Sequence, residues 1–105
     1  MRFPKPPPRA QERRREKRAR SRLTSAVRAT LARRDRRCRL CGEPFSAAPE
    51  MHHLVYRSQG GETSTQNTLL LCHACHHQQV HGRLVDLVPV DPTLGADGAV
   101  EAQPR

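Results

Sequence analysis

Ten side chains in this sequence combine a reactive chemistry with a telling spacing, and they fall into two sets. The first is the four cysteines. Cys38-x2-Cys41 and Cys72-x2-Cys75 are two C-x2-C pairs separated by 30 residues. Zinc takes four thiolate or imidazole ligands in a tetrahedron, and each C-x2-C turn delivers two sulfurs at the right bite. The spacer exceeds the ~15–20 residues of a compact zinc ribbon, so folded structure must lie between the halves. Gly42 directly follows the first pair, where a tight turn is helped by a residue that tolerates positive φ. The second set is the six histidines, all of which lie between His52 and His81. His52 and His53 are adjacent; His73, His76, His77 and His81 follow; the sole asparagine, Asn67, sits between. An imidazole titrates near ~6.5, so it can hold a metal or move a proton near neutral pH.

The elements that must position these groups can be read from pattern. Residues 1–9 carry four prolines and read as a disordered Pro-rich tail. Residues 10–36 lack Gly and Pro and are rich in Arg and Ala, which predicts a basic helical arm, helical over roughly 11–35. Ala19, Leu23, Val27 and Leu31 form a thin apolar stripe at four-residue spacing, and Arg14, Arg18 and Arg22 form a basic one. Residues 37–49 read as a cysteine knuckle with Phe45 packed beneath it. Residues 51–57 predict a strand, and Gly60-Gly61 marks a loop. Residues 67–72 predict a buried strand, and His73–His81 a helix stopped by Gly82. An edge strand over 83–90 is limited by Pro89. Residues 91–105 are small and polar and read as a disordered tail. The expected fold is small α+β: a strand-loop-strand-helix unit over 37–90, stapled by a four-cysteine zinc knuckle and preceded by a basic helix.

Composition narrows the classes further. At 105 residues with 3% aromatics and no Trp, the chain buries little core, and a metal staple is expected to supply stability. No apolar run approaches a membrane span and none resembles a signal peptide, so a cytoplasmic location is expected, where cysteines bind metal more often than they pair. The net charge of +9 is uneven: residues 1–37 hold 15 Lys/Arg against three acids, leaving the remainder at −3. Such a basic arm is the footprint of a polyanion binder. The preference for Arg over Lys favours phosphate, whose oxygens match the guanidinium fork.

In order, the segments RDRRCRLCG, MHHLVYRSQGG and NTLLLCHACHHQQVHG resemble the HNH endonucleases, the ββα-metal or His-Me finger nucleases, from Arg34 to about Leu84. The resemblance implies a metal-dependent hydrolase of DNA phosphodiester bonds. It implies that His53 is the general base, that Asn67 orients the base or its loop, and that His52 and His76 hold a catalytic divalent metal. For a further helix ligand, counting from Asn67 selects His76 with His81 second, whereas i,i+4 spacing selects His77 with His81. The implied cofactors are a structural Zn²⁺ and a catalytic Mn²⁺, Ni²⁺, Mg²⁺ or Zn²⁺. The implied partner is DNA, gripped mainly by its backbone through Arg14, Arg18, Arg22 and Arg57, without a membrane. Small relatives of this kind suggest a larger assembly, such as a phage terminase or a mobile element. A second class, a zinc-stabilised nucleic-acid-binding module without catalysis, leaves the His52-His53 pair without a purpose. Glu50, two residues before His52, fits both a partner behind a ligand histidine and a plain surface acid.

Overall fold

The computed structural model describes residues 8–105, so residues 1–7 of the expected Pro-rich tail lie outside the described residues. Pro8 and Arg9, assigned to that tail from composition, instead open the first helix, α1 (Pro8–Arg34). Proline is tolerated in a helix's first turn because the N–H it lacks would have no partner there. The helix docks by its C-terminal end alone. Leu31 is fully buried and Val27 nearly so, packed with Leu70, Met51 and Phe45, whereas Leu23 is 50% exposed and Ala19 stands in solvent.

β1 (Glu50–His53) pairs antiparallel with β2 (Thr68–Leu71), with Met51 opposite Leu70 and His52 opposite Leu69. β1 is shorter than the strand expected over 51–57, because the chain bends away after His53 into a long loop. β2 is buried along its whole length. Its alternation serves two cores: Leu70 faces α1, while Leu69 and Leu71 join Cys38, Cys75, Val80, Leu87 and Ala96. The same alternation sends the side chains of Glu50 and His52 to one face of the hairpin and those of Met51 and His53 to the other.

The segment from His73 to His81 is helical as expected, but its winding is not. After one α-type step at His73–Ala74 it becomes a π-helix, α2 (Cys75–Val80), in which the His81 N–H donates to the His76 carbonyl at 3.0 Å. The stop also differs from expectation. Arg83, not Gly82, takes the left-handed conformation (φ 61), and the Leu84 N–H closes onto the Gln79 carbonyl.

The C-terminal segment 91–105, read from its composition as disordered, is ordered. It makes a 3₁₀ turn (Gly95–Asp97) and a strand, β4 (Val100–Pro104), which pairs with β3 (Val85–Pro89). Ala96 is fully buried in the β2 core, and its N–H donates to the Gln66 carbonyl at 2.7 Å. Gly95 makes this approach possible: its φ is +58, and a side chain there would run into the Gln66 carbonyl.

A polar network clamps these pieces together. Asp35 has a side chain only 1% exposed; it accepts two bonds from the Arg34 guanidinium, one from Arg39 and one from the Leu70 N–H. Arg34 also donates to the Thr65 and Thr68 carbonyls and to Asp97, and Arg39 donates to the carbonyls of Ala96 and Gly98. One buried carboxylate thus joins α1, β2 and the C-terminal segment. Burial would raise the pKa of Asp35, but the bonds from Arg34, Arg39 and Leu70 outweigh it and hold the carboxyl below its ordinary 3.8. A depressed folded-state pKa contributes stability above the unfolded value and loses it as pH falls through the folded one. Asp35→Asn is therefore expected to lower stability by about 3 kcal/mol at pH 7, since it leaves the Arg39 guanidinium without a carboxylate partner and Arg34 with only the partly exposed Asp97. The deficit should shrink below pH ~4, where the wild-type carboxyl also protonates. Urea unfolding of both proteins at pH 7 and pH 3 checks the magnitude and the sign.

Candidate functional site

Two metal-ligand clusters grow from this frame. In the first, the ligand atoms of Cys38, Cys41, Cys72 and Cys75 all lie within 4.8 Å of one another. The knuckle is built by backbone bonds: the Cys38 N–H donates to the Glu43 carbonyl at 3.0 Å, and the Gly42 N–H, at φ 76, returns to the Cys38 carbonyl at 2.9 Å. The second pair straddles the step from β2 into the helix, where the Cys75 N–H points at the Cys72 sulfur at 3.5 Å. All four are free thiols, so the donor set is intact. Burial opposes ionisation of Cys38, but backbone N–H groups of Cys41, Cys72 and Leu40 overcome it and bring its pKa down to about 7. Burial and the neighbouring thiols push Cys75 well above the ordinary thiol value. Thiolate charge can therefore begin to form here but not accumulate without a cation. Four sulfurs at this spacing could hold a structural metal, and an all-thiolate set suits zinc.

The second cluster is imidazole. His52 on β1 and His76 and His81 on the helix place one ring nitrogen each within 4.8 Å of the others. The Nε2 atoms of His76 and His81 are 3.0 Å apart. Two imidazole nitrogens bound to one ion at ~2.0–2.1 Å would stand about 2.9–3.4 Å apart at ordinary bond angles, so the pair fits a shared cation. The π winding produces this pair. On an α-helix residues five apart diverge, but a ladder that closes on the fifth residue stacks them. Of the two pairs the sequence offered, His76 with His81 shares this group, and His77 falls in a separate one with Glu50 and His73.

The surroundings suit a ligand role. His52 is 4% exposed. Burial, followed by the charges of His76, His81 and His53, lowers its pKa to about 4, so it is a neutral imidazole at pH 7. Burial, then the charges of His76 and His77, lower the pKa of His81. Behind His76 stands Glu50, whose Oε1 bonds the His76 Nδ1 at 2.7 Å and turns Nε2 toward the cluster. A carboxylate behind a histidine fixes the tautomer of a metal ligand. Hydrogen bonds from His76 and His73 keep Glu50 ionised, with a pKa of about 2. The sequence left Glu50 between two roles; its position on the His52 face of β1 was the available signal. Tyr56 was missed as a site residue. Its ring stacks on His81 at 6.1 Å and meets His52 edge-on at 5.8 Å, walling one side of the cluster.

His53 occupies the opposite face of β1 and is not part of the three-histidine group. Its Nε2 contacts the Thr63 hydroxyl at 3.0 Å. Burial, then the nearby Arg57 charge, lowers its pKa and favours the neutral ring. Asn67 lies at the end of the intervening loop and fastens it. Its Oδ1 accepts from the Val55 N–H at 2.9 Å, and its amide donates to the carbonyls of Val55 and Glu62. Asn67 thereby shapes the loop that carries Thr63 to His53. A cleft of about 540 Å³ opens beside Thr63, lined by Arg20, Leu23, Thr24, Arg57, Gly61 and Glu62. A neighbouring cleft of about 520 Å³ adds Lys17, Ser21 and Ser25 and again includes Arg57.

The basic residues divide between faces of α1. Arg18 and Arg22 each precede a buried residue, Val27 and Leu31 respectively, by nine positions, about two and a half turns, so they point away from the domain. Arg14 lies further along the undocked part, and none of the three lines either cleft. Lys17 and Arg20, which no sequence stripe singled out, are the helix cations that share the clefts with Arg57.

A β-hairpin followed by a helix, with histidines meeting across them and a four-cysteine cluster tying both ends, defines a small α+β finger with side chains that could hold metal. Residues 38–82 match the HNH endonuclease family, the family that the motifs resemble. Among curated proteins, anaredoxin from Nostoc sp. is 40% identical over 47 residues. That stretch is 45% of this chain and 60% of anaredoxin. No described helix is long and apolar enough to cross a membrane.

Proposed function

We propose that this chain is a metal-dependent endonuclease hydrolysing DNA phosphodiester bonds. The observation that carries the reading is the convergence of His52, His76 and His81, with Glu50 behind His76, inside the segment that matches HNH endonucleases. These three histidines would hold the catalytic cation, leaving positions open for phosphate and water. When bound, a divalent cation would supply Lewis-acid charge to the phosphate and to the departing 3′ oxygen. Cys38, Cys41, Cys72 and Cys75 would hold a zinc whose role is structural.

The chain's own residues divide the remaining work. His53 takes the proton from the attacking water on the ring nitrogen that Thr63 does not engage. Its depressed pKa keeps the base neutral near pH 7. Asn67 positions that base indirectly, through the loop. Arg57 with Lys17 and Arg20 grips backbone phosphates on the His53 side, and Arg14, Arg18 and Arg22 add long-range attraction from the outer face of α1. Replacing Lys17, Arg20 and Arg57 together by alanine is expected to flatten the slope of log K against log[salt] by about 2–3. The same change at Arg14, Arg18 and Arg22 should cost less affinity. A larger loss from the outer three, in fluorescence anisotropy with duplex DNA, would move the binding face to the far side of α1.

The function is tested with zinc-loaded protein and supercoiled plasmid, with Mn²⁺, Ni²⁺ or Mg²⁺ added. Nicked or linear product is expected only when a divalent ion is supplied beyond the structural zinc. Plasmid bound yet uncut with all three ions would select the non-catalytic binding module instead.

A further inference from the structure

A third group of ligating side chains lies outside both sites. Glu50, His73 and His77 each place one ligand atom within 4.8 Å of the others. The Glu50 Oε2 lies 2.6 Å from His73 Nδ1, and its Oε1 lies 2.8 Å from His77 Nε2. His73 and His77 are four apart at the start of the helix, and their ring centroids are 4.2 Å apart. A histidine pair at this spacing on one helical face is a recurrent bidentate metal grip. Here a strand supplies a third, anionic donor. Two imidazoles and a carboxylate make a borderline donor set, suited to Zn²⁺, Ni²⁺, Co²⁺ or Cu²⁺ and poorly suited to Mg²⁺ or Ca²⁺. The side chains of His73 and His77 are 74% and 53% exposed, so a cation can enter from solvent and keep water on its remaining positions.

The four-cysteine and three-histidine groups account for neither His73 nor His77. Neither is in the core, and among the described residues their side chains hydrogen-bond to Glu50 alone.

We propose that Glu50, His73 and His77 form a further divalent-cation site on the protein surface, selective for borderline transition metals. Glu50 links it to the three-histidine group, because the same carboxylate oxygen bonds His76. The two ions therefore compete for the electron density and orientation of one side chain.

The test is calorimetric titration of Zn²⁺ into zinc-loaded full-length protein, comparing wild type with the double variant His73→Ala/His77→Ala. Both substitutions are at exposed positions, so the fold is expected to survive, and circular dichroism checks it. Wild type should take up two equivalents beyond the four-cysteine zinc; the double variant should take up one. Losing even a partner behind a ligand weakens metal sites about 10–100-fold, so removing two direct ligands should abolish the equivalent. Glu50→Gln provides the second arm and should weaken both remaining equivalents, whereas His52→Ala should spare the surface one. Identical stoichiometry and affinity in wild type and His73→Ala/His77→Ala would overturn the proposal. The readout is metal uptake, so it stands or fails independently of any DNA cleavage.

Discussion

His53→Ala is expected to slow metal-dependent cleavage by about 10²–10⁴-fold while leaving DNA affinity within about twofold of wild type. The size follows from the job: a positioned base removes a proton that bulk water accepts poorly. The selectivity follows from geometry. His53 is absent from all three groups of ligating side chains, and its ring meets Thr63 rather than a core residue. Truncation would therefore remove the proposed base without dismantling a ligand set. The pH profile carries the same signature. Burial and Arg57 lower the pKa of His53. The rate should rise with pH through a midpoint below the ordinary histidine value of ~6.5 and then level off. In Arg57→Ala, the loss of the neighbouring cation should move that midpoint upward. Single-turnover rates between pH 5 and pH 8 check both statements.

Removing the structural metal is expected to abolish the fold of the finger. Cys38 and Cys41 sit at the knuckle, Cys72 at the end of β2 and Cys75 at the start of α2, so one ion would join three segments. The apolar core beneath is small, with ten buried hydrophobic residues among those described, including two of those cysteines. Structural zinc contributes ~10–16 kcal/mol in small domains, which matches or exceeds the entire ~5–15 kcal/mol stability of a typical protein. Cys75→Ser, or a chelator strong enough to strip zinc, should erase amide protection at Leu69–Leu71. Residual helical signal from the undocked half of α1 would persist, so hydrogen exchange reads this outcome better than circular dichroism. Full protection of β2 in the metal-free protein would contradict the staple.

Some of this was legible in the sequence because the chemistry tolerates few substitutes. Only certain side chains ligate zinc, and the paired cysteines declared their cluster through spacing alone. β2 was legible because an unbroken TLLL run has one sensible place, buried on both faces. Counting from Asn67 selected His76 with His81, but helical periodicity pointed to His77 instead, since it assumes α winding and the π ladder brings together residues five apart. β4 was hidden for another reason. Four of its five residues are exposed, so it is held by backbone pairing that leaves no side-chain pattern. Arg34 and Asp35 fell in the segment read as a basic arm and Arg39 in the knuckle; their burial becomes visible only when β2 and the C-terminal turn close over them. Glu50 shows the same limit at the site: a lone acid acquires meaning from the histidines that fold against it.

The most direct test of the account is chemical rescue of His53→Ala. Cleavage of plasmid by the variant is measured under single turnover, with the catalytic metal saturating and imidazole added in increasing amounts. Free imidazole should restore part of the lost rate, with a dependence on pH that follows its own neutral form. Wild-type cleavage rates in His53→Ala without imidazole would contradict the assignment of the base, as would a slowed rate that imidazole leaves untouched.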